Sequence, residues 1–306
     1  MNRIVLPLAL PCLMLLPASA LADDFITGFS MDFVEIGDAG NAADNTGYGS
    51  VGYDYRMSKY EVSEAMIGAY NANSGGPLIT LDSRGANRPA TAVSWDEAAR
   101  FVNWLNTSSG YSAAYNFTTG GGNDNITLWS VGDAGYDPAN PFRNSNAYYF
   151  LPSEDEWYKA AYYDPNANGG TGGYWDYATG SDTAPTAVTG GTSGAVYGQS
   201  LATGPALVTD AGGLSPYGTM AQTGNVWEWG ESGSTAPNDS AGESRVFRGG
   251  AWFGNSSSLQ SSFRLSLNPT DGLNSIGFRV ASVPEPSGAL LTVLGAMGLM
   301  LKKRRS

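Results

Sequence analysis

Gly224-Asn225-Val226-Trp227-Glu228-Trp229, Arg245-Val246-Phe247-Arg248-Gly249-Gly250-Ala251-Trp252 and Ile276-Gly277-Phe278-Arg279-Val280-Ala281 decide how this chain is read. Apolar residues alternate over Asn225–Trp229 and Val246–Phe253, the period of short strands, and the Gly249–Gly250 pair lets one backbone pass close to another or take positive φ. Arg245, Arg248, Arg264 and Arg279 lie among these apolar runs. An unpaired buried charge is costly, so these arginines are expected to meet carboxylates such as Glu228. A tightly wound β core follows.

Upstream, the helix signals are local. Ser63 is placed as an N-cap after Lys59-Tyr60-Glu61-Val62, with Ala65, Met66, Ala69 and Tyr70 on the helix it opens. Ser94 with Glu97, and Ser153 with Glu156, have the spacing of capping boxes. After the first box, Trp95, Ala98, Val102 and Leu105 recur at three and four residues and predict one buried face to about Asn106. After the second, Trp157, Ala160 and Ala161 are expected inside. Glu154, Asp155 and Glu156 complement the helix N-terminus and read as stabilising charges ahead of catalytic ones.

The chain has 306 residues. Met1–Ala22, with Arg3, an apolar run and Ala-Ser-Ala-Leu-Ala before Asp23, reads as a cleaved export signal, and Cys12, the only cysteine, lies within it. Residues 23–282 then form one domain. The exported part keeps 11 basic and 27 acidic residues, a net charge near −16 that repels nucleic acid, so a nucleic-acid role is set aside. With no histidine in the chain and no cysteine left, Ser–His–Asp and Cys–His catalysis, disulfides and the usual zinc sites are excluded. An oxygen-only metal site or a carboxylate pair stays open. Long Gly/Asn/Asp-rich stretches, Thr118–Asn125, Asp133–Asn146 and Asp164–Gly213, read as loops. Asp38, Asn41, Asp44 and Asn45 are either a calcium cluster or turn-forming residues.

The order and spacing of GNVWEW, RVFRGGAW and GFRVA, with Arg88–Trp95 and Leu151–Trp157 before them, resemble the formylglycine-generating enzyme, or sulfatase-modifying factor, family. The resemblance implies an α+β, C-type-lectin-like fold with short strands and two or three helices, supported by calcium. It puts calcium on Gly224, Val226 and Glu228, with Ala221 where the family has an oxygen ligand. In the family, two cysteines hold copper. Counted from Trp252, their positions are Gly254 and Leu259, so neither copper nor iron is expected. Fold alone does not carry function. The same fold serves as a display scaffold, which favours a ligand- or glycan-binding module with Trp252, Phe253, Asn255, Trp175 and Tyr177 as contact residues and Asp176 beside them. An enzyme with other, oxygen-ligand metal chemistry is the alternative.

Residues 283–306 change character: Val283-Pro284-Glu285-Pro286-Ser287, apolar Gly288–Leu301, then Lys302-Lys303-Arg304-Arg305. Fourteen helical residues at about 1.5 Å each span roughly 21 Å, against about 30 Å of hydrocarbon, a marginal transmembrane helix. This arrangement resembles the PEP-CTERM sorting signal, which implies processing by an exosortase and a location in the periplasm, at the outer surface or in the matrix, near exopolysaccharide.

Overall fold

Three helices each begin at a serine whose side chain replaces a missing backbone partner. The structure, a computed structural model, describes residues 24–26, 28–118, 126–235 and 238–284. The expected export signal, the tail from residue 285 onward and the loop after Thr118 lie outside the described residues. Helix α1 is Glu64–Asn73, where Ser63 accepts from the Met66 amide. Helix α2, Trp95–Ser108, and helix α3, Glu154–Tyr162, start with reciprocal capping boxes at Ser94/Glu97 and Ser153/Glu156. Trp95, Ala98, Val102 and Leu105 are fully buried along α2, as their spacing predicts, and Trp157, Ala160 and Ala161 are buried along α3.

Two four-stranded sheets carry the core. One takes β1 (Phe33–Ile36), β2 (Tyr55–Ser58), β3 (Tyr149–Phe150) and β8 (Ala281–Ser282) in the order β1-β2-β8-β3, all antiparallel. The other takes β4 (Trp227–Gly233), β5 (Arg245–Arg248), β6 (Leu265–Leu267) and β7 (Ile276–Phe278) in the order β6-β5-β4-β7. There β4 runs parallel to β7 and antiparallel to β5, aligning Glu228 with Gly277 on one side and Arg248 on the other. Six residues after β7 begins, the same chain is in the first sheet, so Ile276–Ser282 stitches the two together.

Arg279 sits at that stitch and is fully buried. It donates from Nε and Nη2 to the Glu228 carboxylate at 2.5 and 2.6 Å, from Nη1 to the Ser58 carbonyl at 2.8 Å, and from Nη2 to the Met220 carbonyl at 2.7 Å. Trp157 Nε1 gives the same carboxylate a further bond at 2.6 Å, tying α3 to β4. Two other core indoles are also satisfied, Trp95 on the Gly230 carbonyl and Trp229 on the Val93 carbonyl.

Two expectations need correction. The strand expected over Val246–Phe253 stops at Arg248, because Gly249 and Gly250 both take positive φ and turn the chain out of the sheet. Arg245 does not pair with a carboxylate among the described residues. It donates to the Glu231 and Ser240 carbonyls and to Asn238, with its guanidinium 4.5 Å from the Trp95 ring and 4.1 Å from Phe142. Carbonyls and π faces replace the anion there.

Removing either partner of the central pair leaves the other charge buried and alone. Glu228→Gln and Arg279→Met are each expected to cost about 3–5 kcal/mol, and the double variant less than the sum of the two. Urea denaturation of the three variants checks this.

Candidate functional site

The loop that follows β5 is fixed from within. Gly250, at φ +82°, is required because a Cβ there would lie 2.5 Å from Leu259 Cδ2. Trp252 turns inward, fully buried, and donates from Nε1 to the Leu201 carbonyl at 3.2 Å. Phe253 turns outward, 41% exposed, with its ring edge-on to Trp252 at 5.1 Å. Asn255 caps the short turn Ser256–Leu259, its Oδ1 accepting from the Ser258 amide at 3.2 Å and from Ser257 Oγ at 2.6 Å. Backbone bonds lace this loop to its neighbours: Gly198 to the Gly254 carbonyl, Gln199 to the Trp252 carbonyl and Ser261 to the Asp176 carbonyl.

Of the expected contact residues, then, Phe253 and Asn255 reach the surface on one rigid loop, and Asp176 is brought to its edge. Trp175 is half-buried, with Nε1 on Asp164 at 3.3 Å. Trp252 and Tyr177 are core residues, not surface contacts: Trp252 is fully buried and Tyr177 nearly so, their rings packed inside instead of facing solvent. At the two positions counted from Trp252, Leu259 is fully buried, and a Cβ on Gly254 would meet Ser258 Oγ at 2.7 Å and the Ala251 carbonyl at 3.1 Å.

The residues expected to hold calcium lie in a crowded part of the core. Gly224 takes φ +94° and lies so close to Val196 that a Cβ would fall 2.5 Å from its carbonyl oxygen. Glu228 accepts from Arg279 on both oxygens and from Trp157 on Oε2, and is the counter-ion of that core arginine. The neighbouring carboxylate is Glu61, fully buried, whose Oε2 accepts from Asn225 Nδ2 at 2.6 Å while Oε1 has no partner among the described residues. Burial, then the Glu228 charge, pushes its carboxyl well above the usual range. No group of three or more metal-ligating Asp, Glu, His or Cys side chains occurs among the described residues. Asp38 and Asp44 are engaged in turn and tyrosine contacts, with Tyr163 and Tyr158 respectively.

A second assembly was not visible in the sequence. Arg143 bridges Glu156, at 2.8 Å from Nη2, and Glu231, at 2.9 Å from Nε, with its guanidinium 3.9 Å from the Phe150 ring. Tyr53 donates to Glu156 Oε1 at 2.6 Å, Tyr115 to Glu231 at 2.7 Å, and Asn140 to Glu231 at 2.6 Å. Above this network lies a hollow of about 260 Å³. Its residues come from three segments far apart in the chain, so no linear motif announces it. The only signal was the Asn/Asp content of Asp133–Asn146.

A known family description, the sulfatase-modifying factor enzyme 1-like domain, matches residues 21–283. The chain belongs to this family. Among solved structures it is similar to Treponema denticola variable protein 1, with a TM-score of 0.60 and 19% identity over 86% of this chain and 99% of that one. It is also similar to CarF, at 0.55 and 20% over 83% and 99%, and to PvdO from Pseudomonas aeruginosa, at 0.50 and 16% over 83% and 92%. Among curated proteins no relative matches. At these identities the neighbours speak for the fold alone. That fold is the α+β, sulfatase-modifying factor architecture expected from the motifs. Among the described residues no helix is long and apolar enough to cross a membrane.

Glu156 gives the site a pH signature. Burial works to raise its carboxyl, but the Arg143 charge and its hydrogen bonds override this and hold it below the usual carboxylate range. Its contribution is therefore full above the unfolded-chain value and is lost as pH falls through the lower folded-state value. Urea midpoints measured down a pH series are expected to fall from about pH 4 onward. Glu156→Gln should flatten that acid slope while costing about 3–5 kcal/mol at neutral pH.

Proposed function

We infer that this chain is an exported binding module of the sulfatase-modifying factor family, without the family's cysteine-based oxidase chemistry, and that the Phe253–Ser258 loop is its contact surface. The observation that carries the reading is the content of the two positions counted from Trp252. A glycine occupies one, where a Cβ would press on Ser258 Oγ and the Ala251 carbonyl, and a buried leucine the other, in a chain whose only cysteine is Cys12 and which has no histidine. A rigid loop presenting Phe253 and Asn255 from a buried anchor suits recognition, because little ordering entropy is lost on contact. The ligand class is a glycan or protein of the cell surface, with exopolysaccharide the first candidate.

The tail supports export followed by sorting. Val283-Pro284-Glu285-Pro286, the short apolar stretch and the terminal basic cluster fit an exosortase-processed PEP-CTERM segment, and Met1–Ala22 fits a cleaved signal. Both put the domain outside the inner membrane. Calcium enters this reading at Gly224, Val226 and Glu228. The oxygens that would hold it are the Gly224 and Val226 carbonyls and the Glu228 carboxylate, with Glu61 as a neighbouring acceptor, fewer than a full calcium shell, so water would complete it and affinity would be low.

Retention of the purified protein on cell-surface extract and on immobilised exopolysaccharide tests the contact surface. Phe253→Ala should weaken retention about tenfold with an unchanged melting temperature. Incubated with a Cys-x-Pro-x-Arg peptide, copper and oxygen, the protein is expected to form no aldehyde by mass; an aldehyde would refute the non-oxidase reading. For calcium, millimolar addition should raise Tm by a few degrees in the natural chain and not in Glu61→Gln. Equal melting with calcium and with chelator removes calcium from the proposal.

A further inference from the structure

Two arginines meet at a hollow beside Trp252. Arg84, Arg88, Thr203, Gly204 and Pro205 line a space of about 240 Å³. The segment that carries the arginines is pinned at its backbone. Glu64, the first residue of α1, accepts from the Arg84 and Gly85 amides at 2.8 Å each, and the Arg88 amide donates to the Gly85 carbonyl at 2.9 Å. The facing segment is pinned too, with the Ala206 amide on Asn225 Oδ1 at 2.7 Å and the Val208 amide on the Asn87 carbonyl at 3.0 Å. Both walls are therefore set before any ligand arrives.

Both guanidiniums keep donors in hand. Arg84 gives Nε and Nη2 to Asp82 Oδ2 at 3.3 and 3.2 Å and Nη2 also to the Asn274 carbonyl at 3.2 Å, with its guanidinium 4.9 Å from the Trp252 ring. Its Nη1 lies against Gly204, where a Cβ would fall 2.8 Å away, and has no hydrogen-bond partner among the described residues. Arg88 gives Nη1 to the Pro205 carbonyl; its Nε and Nη2 have no partner among the described residues, and neither is sealed from solvent. The carboxylates bonded to this segment are in use, Asp82 Oδ2 on Arg84 and Thr91 and Glu64 on the two amides. Although the chain holds 28 Asp and Glu residues, Arg88 has no ion pair among the described ones. Arg245 also lacks a carboxylate, but it is fully buried, whereas Arg88 is half-buried and reachable. A reachable guanidinium with spare N–H groups, beside a second one, is a donor set whose geometry matches an oxyanion.

The space is larger than an oxyanion alone fills: at roughly 30 Å³ per water it has the volume of about eight waters, enough for a sugar ring with its carboxylate. Thr203, exposed, adds a hydroxyl with no partner among the described residues. Arg84 and Phe253 both pack on Trp252, at 4.9 and 5.1 Å, so the hollow adjoins the contact surface inferred above. We propose that this hollow binds one acidic sugar unit, its carboxylate held by Arg84 and Arg88 and a ring hydroxyl by Thr203. The proposal rests on the Phe253 reading for the ligand being a surface glycan, and it names that glycan as an acidic one. The net negative charge of the domain does not oppose this, because charges beyond about 8 Å are largely screened at physiological salt.

Methyl glucuronide, methyl glucoside, acetate, inorganic sulfate and a short glutamate-bearing peptide, each titrated into the purified protein by calorimetry at physiological ionic strength, test this. The glucuronide should bind saturably, and the glucoside about tenfold more weakly or worse, since it lacks the charge-assisted bonds. Arg88→Gln should weaken glucuronide binding by about tenfold or more. Thr203→Trp, at an exposed position that leaves both arginines in place, should fill the space and abolish binding while melting as the natural chain does, and it decides the matter if Arg88→Gln melts lower. The proposal is overturned if the glucuronide binds no better than the glucoside, or if Thr203→Trp binds as well as the natural chain. It is also overturned if acetate or sulfate binds as tightly as the glucuronide, which would make this a bare oxyanion site, or if the peptide binds more tightly, which would make the ligand a protein. Glucuronide binding with no retention of the protein on any exopolysaccharide would count for this site and against the Phe253 surface. Retention that depends on Phe253, with no glucuronide binding, would overturn this site alone.

Discussion

One guanidinium joins nearly every part of this fold. Arg279 reaches the Glu228 carboxylate on β4, the Ser58 carbonyl at the end of β2 and the Met220 carbonyl of the loop before β4, from a position between β7 and β8. Few short strands could hold two separate sheets at a fixed angle through apolar contact alone. A planar, always charged fork with fixed donor directions can, provided that its counter-ion is equally fixed, and Trp157 Nε1 fixes it from α3. The arrangement trades desolvation of two charges for orientation.

The same device is repeated around the start of α3. Glu154 takes Arg248 and Arg264, and Glu156 takes Arg143 while also closing the capping box on the Ser153 amide. The acidic triplet at this helix end is thus more than a complement to the helix dipole. It gathers arginines from β5, from the segment before β6 and from the loop before β3, and so converts a strongly acidic chain into one whose buried charges are largely matched. Asp155, which instead accepts from the Gly49 amide at 2.8 Å, holds the long N-terminal loop against the same helix.

Much of this was legible in the sequence where the signal is local. Ser94 with Glu97 and Ser153 with Glu156 announced helix starts by spacing, Trp95 to Leu105 announced a buried face by period, and Glu228 was the evident partner for an arginine. Positions governed by distant neighbours were not legible. Nothing near Arg245 in sequence says that carbonyls and two rings will serve it in place of a carboxylate. Trp252 and Tyr177 looked like contact residues because aromatic side chains among small polar ones suit surfaces, yet both are buried in the core. The hollow over Arg143 is assembled from three segments far apart in the chain and exists only in three dimensions.

The last described strand has a mechanical consequence. β8 lies between β2 and β3, paired antiparallel to both, and Val283 then donates to the Tyr148 carbonyl as the chain leaves. Tension applied along the exiting chain would load the bonds on both sides of β8 together, in shear, instead of peeling them one at a time. Behind that strand the pull passes directly to Arg279, so the domain resists extraction at its C-terminal side through both sheets at once.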